Sequence, residues 1–260
     1  MTPSQNSPMA TTKTNKKLEI QQREELLLET ASQILLSEGY SELSMERLAE
    51  ELGAAKGTVY NHFPNREEIV LAIAVRAVNK RQSLFDAAST SKGSSRMRMM
   101  AVGVAQEIYV RDYPGYFLVE NLVRHAAIWE RCSEARRQLM KNCEQRCMGL
   151  AAGIARSAMA DGDLELPPDC SPEEMVLSLW ALTSGPHLIG STSPSLLAIG
   201  IRSVHRSVRI GILSTINGFG WKPAWNLKQQ EEKIQQICRS VFPNEQPLPG
   251  LDQIEDGHTS

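Results

Sequence analysis

No stretch of this 260-residue chain is apolar over the roughly 18 residues that a membrane-spanning helix needs, and its longest strongly apolar run is only Val70 to Val75. The first residues, MTPSQNSPMATTKTNKK, hold no apolar core of a secretory signal and no transit-peptide pattern, so a soluble protein of the cytoplasm is expected. Cysteine is sparse as well. The five thiols, Cys132, Cys143, Cys147, Cys170 and Cys238, are odd in number and form no CxxC, which excludes a disulfide framework and points to reduced thiols. Cys143 and Cys147 lie one helical turn apart, but no second Cys or His pair is near them in sequence. No metal and no other cofactor is therefore expected.

An excess of either charge is missing too. With 28 Lys+Arg against 30 Asp+Glu the formal net charge is -2, so any nucleic-acid site must be a local patch and not a global field. The chain also lacks sustained period-two alternation bounded by hairpin dipeptides, which excludes a β architecture. Catalytic signatures are absent: there is no GxSxG, HExxH, Walker loop, GxGxxG, EF-hand loop or DDxxD. Asp161, Asp163 and Glu165 in DGDLELPPD lack the glycine that a calcium loop needs at its sixth position, and they read as a solvated loop. An enzyme is not expected.

What is present is helical periodicity. Leu27, Ala31, Ile34 and Leu35 share one face, and Gly39 ends that segment. Ser44 is suited to cap a short helix with Met45, Leu48, Ala49 and Leu52 on one face, closed by Gly53. A third short helix is predicted over 55–62. Asn65, with Glu68 three residues on, reads as a capping box for a long fourth helix that is apolar on all sides from Val70 to Val75. Further helices are predicted over about 96–110, 114–130, 133–160, 172–190, 195–217 and 227–241, the fifth-from-last and later ones helped by Pro114 and by Ser171-Pro172-Glu173-Glu174. The fold class is all-α. The expected division is a disordered arm over 1–16, a three-helix helix-turn-helix domain over 17–66, a larger helical domain over 67–242 and a flexible tail over 243–260.

Function is most legible in SMERLAEELGAAKGTVYNHF, residues 44–63. Two short helices crossing steeply need a small residue at the crossing, which Ala49 supplies, and apolar wedges, which Leu48, Leu52 and Val59 supply. The remainder of the second helix, Lys56, Gly57, Thr58, Tyr60, Asn61 and His62, is left to face outward with side chains suited to base edges and phosphates.

The run LAEELGAAKGTVYNHFPNREEIV resembles the signature of the TetR family of bacterial transcriptional regulators, densely over residues 20–75. Beyond that the likeness is architectural, although WALTSGPHLI, Trp180 to Ile189, is also similar to the apolar, glycine-containing eighth helix of many members. The resemblance implies a homodimer on a pseudo-palindromic operator in double-stranded DNA, with a larger domain that takes a small-molecule effector. It places Ser44 at a helix cap that meets a phosphate, with Arg47 on the exposed face beside it. Lys56, Gly57 and Thr58 match the start of the recognition helix, Tyr60 and His62 the phosphate clamp, and Arg66 the basic start of the fourth helix. Asn61 lies among them. Lys56 either reads a guanine or holds a phosphate. Lys13, Lys16 and Lys17 either add attraction to DNA or belong to a solvated tail. Glu46, Glu50 and Glu51 depart from what a DNA-facing helix wants. Glu46 is expected to point along the groove or pair with Arg47, and the other two to face solvent.

For the effector, composition marks Tyr109, Tyr113, Tyr116, Phe117, His125, Trp129, Trp180 and His187, each of which is equally suited to the core. For the dimer, Val204, Val208 and Ile212 form one stripe and Leu227, Ile234 and Val241, with Ile237 between, another; helix 203–217 with a neighbour is favoured, and the alternative is that these stripes face their own core. Repression is the mode the resemblance implies most often. An activator of the same fold, or a helical ligand-binding or interaction protein that has lost DNA binding, remains open.

Overall fold

The computed structural model describes residues 8–192, 196–201 and 203–250, with side chains from residue 18 onward except at 191, 192 and 197. The described residues form eleven α-helices and two short 3-10 turns, with no strand among them. They fall into two compact units. The first comprises residues 1–76 and 118–140, the second 77–117 and 141–260. Among the described residues no helix is long and apolar enough to cross a membrane.

The first unit opens with α1, Pro8–Ser37. Its helical backbone reaches back into the segment expected as an arm: Pro8 suits a first helical turn, and the amphipathic stretch from Leu27 onward supplies a nucleus from which the helix extends. Residues 1–7 and the side chains of Lys13, Lys16 and Lys17 lie outside the described residues. Leu27, Leu28, Ala31, Ile34 and Leu35 are buried along one face. The chain then passes a 3-10 turn, Tyr40–Glu42, into α2, Met45–Glu51, and α3, Lys56–His62. Next comes α4, Arg66–Ser89, whose Ile69, Val70, Leu71, Ile73 and Ala74 have no exposed surface, as an all-round apolar run requires.

The expected capping box at its start is half formed. Asn65 Oδ1 accepts from Glu68 N at 2.8 Å, but the Glu68 carboxylate turns away to Ser133 N and to Arg136 Nε. Asn65 Nδ2 donates to Arg131 O at 3.2 Å instead.

The later helices are α5, Ser95–Asp112; α6, Pro114–Leu122; α7, Ala126–Trp129; α8, Glu134–Ala160; α9, Pro172–Thr192; α10, Val204–Gly218; and α11, Leu227–Val241. The segment 114–130, expected as one helix, is split, with His125 at the start of the four-residue α7. The segment 195–217 begins later than expected. Gly200 has φ 86°, which interrupts a helix, and Ser203 caps α10 by accepting from Arg206 N.

In the second unit α9 packs on α10, while α5 packs on α9 and α11. Arg96 is buried whole between them: it donates to Trp221 O at 2.5 Å and Asn217 Oδ1 at 2.6 Å, and its guanidinium lies 4.4 Å over the Trp225 ring. Burial pulls its pKa down to about 10, which still leaves it a cation at neutral pH. Nearby, Arg209 donates to both oxygens of Glu107 at 3.1 and 2.5 Å and to Glu231 at 3.1 Å.

The stretch 243–250, expected to be flexible, is docked. Arg111 donates to the carbonyls of Gln246 and Pro247, Arg209 to that of Pro249, and Leu248 is 3% exposed. Orphan carbonyls between prolines are thus satisfied by arginines, a long-range pairing that local composition does not carry. Residues 251–260 lie outside the described residues.

Candidate nucleic-acid interface and effector cavity

The α2–α3 pair is built as its sequence suggests. Ser44 Oγ accepts from Arg47 N at 3.1 Å and so caps α2. Gly53, with φ 57°, makes the turn that an L side chain would resist. Leu48 and Val59 have no exposed surface and Ala49 is 3% exposed, as expected of the crossing and its wedges, whereas Leu52, the third expected wedge, is only half-buried. Leu43 and Phe63, both fully buried, close the two ends.

With Val59 turned inward, α3 presents Lys56, Gly57, Tyr60 and Asn61 to solvent, with Thr58 and His62 half-buried beside them. Tyr60 is 47% exposed, more than most aromatic rings. A Cβ added at Gly57 would meet nothing within 4 Å. The protein's own packing therefore gives no reason for glycine there.

The surrounding cations are engaged in ways that sequence spacing did not reveal. Arg47 forms a two-pronged pair with Glu38 at 2.6 and 2.7 Å, with Glu51 at 3.7 Å and Glu42 at 3.9 Å. Its hydrogen bonds hold the Glu38 carboxyl below its ordinary value. Glu46 does not pair with Arg47. Its Oε1 lies 3.6 Å from Lys56 Nζ, because one turn of α2 faces the start of α3. Arg66 donates to Leu43 O at 3.2 Å and stacks 4.4 Å over the Tyr40 ring, tying the start of α4 to the loop before α2.

Beneath it, Tyr40 Oη donates to Glu67 Oε1 at 3.0 Å, and Arg131 Nη1 does so at 3.1 Å. Burial would raise the Glu67 carboxyl, but its backbone hydrogen bond and these two donors outweigh that and hold it low. The buried carboxylates Glu67 and Glu68 thus fix the entry of α4, a role that no local motif announced.

The second unit contains a cavity of about 700 Å3, counted to its open mouth. Its walls are mainly apolar, with Phe85, Met99, Met100, Met148 and Ile216 among them, and Arg81, Gln106, Glu144 and Thr183 as the polar members. Of the aromatic and histidine side chains expected at an effector site, only Trp180 lines it. Tyr109, Tyr113 and Tyr116 stack on one another at 6.2 and 6.1 Å, and Phe117 meets His187 edge-on at 6.4 Å. These rings satisfy each other. His187 also lies 4.8 Å from His205. His125, exposed, and Trp129, half-buried, belong to the first unit and have no part in this cavity.

Of the two apolar stripes expected at a dimer contact, Val208 and Ile212 are 6% and 7% exposed and Ile234 and Ile237 2%, so these four serve the chain's own core, while Val204, Leu227 and Val241 are half-buried. Among the described residues no group of three or more His, Cys, Asp or Glu side chains is placed to hold a metal. Asp163 instead accepts from Ser95 Oγ at 2.8 Å.

Known proteins resemble this chain in part of its sequence and in its fold. The sequence model of bacterial regulatory proteins of the tetR family matches residues 27–73, from α1 to the buried run of α4. Over 91 residues the chain is 29% identical to the HTH-type transcriptional regulator EthR of Mycolicibacterium smegmatis, a match covering 35% of this chain and 41% of that protein. Over 94 residues it is 30% identical to the HTH-type transcriptional activator FasR of the same organism, covering 36% and 43%. The matches thus span less than half the length of these two relatives. The crystal structure of a TetR/AcrR-family transcriptional regulator from Thermobifida fusca superposes with a TM-score of 0.57 at 19% identity, over 76% of this chain and 98% of that one. By its helix-turn-helix segment the chain matches the bacterial regulatory proteins of the tetR family, and it shares an all-helical fold with a solved regulator of the TetR/AcrR family.

Proposed function

We propose that this chain is a homodimeric, sequence-specific DNA-binding regulator of transcription, a repressor released from a pseudo-palindromic operator by a small, mostly apolar molecule. One observation carries the DNA-binding part. The α3 helix buries Val59 completely and turns Lys56, Gly57, Tyr60 and Asn61 outward, a surface of hydrogen-bonding side chains and one bare backbone position that the protein's own packing does not use. Such a face suits a major groove. Ser44, Tyr60 and His62 serve as phosphate contacts, and Lys56 is the base reader, with Gly57 and Thr58 beside it. Arg47 and Arg66 act chiefly by holding the domain together, given their internal partners.

Residues 17–66 act as the DNA-binding domain and 67–242 as the effector and dimerisation domain. The cavity supports the effector role, since its apolar walls with a few polar groups suit a small ligand. For the dimer, the outer faces of α9 and α10 expose Leu177 at 53%, Ile189 at 58% and Ile210 at 40%, an apolar surface suited to a second copy. The protein works without a catalytic step, in the cytoplasm, where its operator is. An activator is the second reading, favoured by the likeness to FasR, which is itself named an activator.

The test is selection of bound duplexes from a random pool with the purified chain at physiological salt. An inverted repeat is expected. Weak, salt-sensitive binding without sequence preference contradicts the reading.

A further inference from the structure

The side chain of Gln106 is hard to explain as part of a core. It stands on α5 among Val102, Ala105, Ile108 and Tyr109, is 4% exposed and forms part of the cavity wall. Among the described residues neither Nε2 nor Oε1 finds a hydrogen-bond partner. An amide buried this way is penalised on both its donor and its acceptor side, whereas a leucine of similar size would carry no such cost. The hydroxyl of the wall is already committed: Thr183 Oγ1 donates to Trp180 O at 3.0 Å. The charged members, Arg81 and Glu144, are one of each sign, so the wall carries no net charge to attract an ion. The rest is apolar, and its three methionines, Met99, Met100 and Met148, are side chains that adapt to flexible guests.

We propose that this cavity binds an uncharged amphiphile whose apolar body fills the Met-lined space. Its end group both donates to Oε1 and accepts from Nε2 of Gln106, as a primary or secondary amide does. Selectivity then comes from Gln106, because a guest that only accepts leaves the glutamine carbonyl without a donor. The proposal rests on the reading of the second unit as an effector domain and adds to it the class of ligand and the residue that chooses it.

The probes are dodecanamide and its isosteric ketone, methyl undecyl ketone, with dodecanoate and dodecylammonium as charged counterparts, each titrated calorimetrically into the full chain. Dodecanamide is expected to bind at least about tenfold more tightly than the ketone, the size of one well-made buried hydrogen bond. Gln106→Leu should bring the two to equal affinity while melting no lower than the parent chain. Gln106→Met serves the same purpose should the leucine variant fail to fold. Equal affinity of amide and ketone in the parent chain overturns the proposal. So does a preference that survives both substitutions, or tighter binding of either charged probe. A mobility shift on a selected duplex keeps the two readings apart. Amide binding through Gln106 that leaves DNA affinity unchanged retains the site and refutes its regulatory use. DNA binding with no amide preference does the reverse.

Discussion

Replacing Glu46 by glutamine should tighten DNA binding, and the structure sets by how much. Glu46 Oε1 sits 3.6 Å from Lys56 Nζ, with the two side chains 48% and 61% exposed, so this is a solvent-screened pair. Such pairs contribute about 0.2–1 kcal/mol, the amount that Lys56 must give up before it can reach a base or phosphate. Removing the carboxylate also removes a negative charge from the side of the domain that approaches the DNA backbone. The expected gain from releasing Lys56 is therefore about 1.4-fold to 5-fold in affinity at low salt, shrinking as salt screens the pair. Fluorescence anisotropy on a selected duplex, across a salt series, measures it. In the Lys56→Ala background the same change should gain less, because only the repulsion from phosphates is left to relieve. A loss of affinity in Glu46→Gln would refute the reasoning, since it would show that Glu46 positions Lys56 and does not hold it back.

Other consequences concern stability and reactivity. Arg209→Met leaves the Glu107 carboxylate, 7% exposed, without its main counter-charge, and should cost roughly 3–5 kcal/mol, or a fall of roughly 6–20 °C in the melting temperature followed by circular dichroism. Pairing it with Glu107→Leu should recover most of that, and a double variant as unstable as the single one would contradict the buried-pair account. Burial would raise the Glu107 carboxyl, but its contacts with His205 and Arg209 outweigh this and hold it below its ordinary 4.5. Its contribution is thus complete above that value and lost as pH falls through the lower folded-state value, so acid unfolding should begin below pH 4.5 and be blunted in the double variant. Burial, with the nearby Glu68 and Glu67, pushes the Cys132 thiol up to about 11. At neutral pH roughly one molecule in ten thousand then carries the thiolate, and Cys132 should resist iodoacetamide until the chain unfolds; native labelling at the rate of an exposed cysteine would contradict this.

The helix-turn-helix was readable from sequence because its determinants are local. The cap at Ser44, the turn at Gly53 and the wedges Leu48 and Val59 all lie within one short stretch, and each side chain's role follows from helical spacing. The engagement of the arginines was not readable. Arg47 reaches Glu38, and Arg66 reaches Leu43 and Tyr40, partners in other elements that only the packed domain brings near. The expected ligand contacts were drawn from aromatic density, and aromatic rings pack well against one another, so Tyr109, Tyr113 and Tyr116 form a stack apart from the cavity lining. The better signal was an uncharged polar residue inside an apolar helical run. Gln106, which with Glu107 interrupts the apolar run from Val102 to Val110, is that residue, beside methionines that read simply as core. The apolar stripes of α10 and α11 had the right period for an interface, but period alone does not say which body covers the face.

The central claim is that the outward face of α3 reads bases. It is tested most directly by comparing the parent chain and Lys56→Ala on a selected duplex and on a scrambled duplex of equal length at the same salt concentration. The account predicts a loss of about 1–3 kcal/mol on the selected duplex and a much smaller one on the scrambled duplex. An equal loss on both would show that Lys56 holds only phosphate, and no loss on either would remove the α3 face from the DNA.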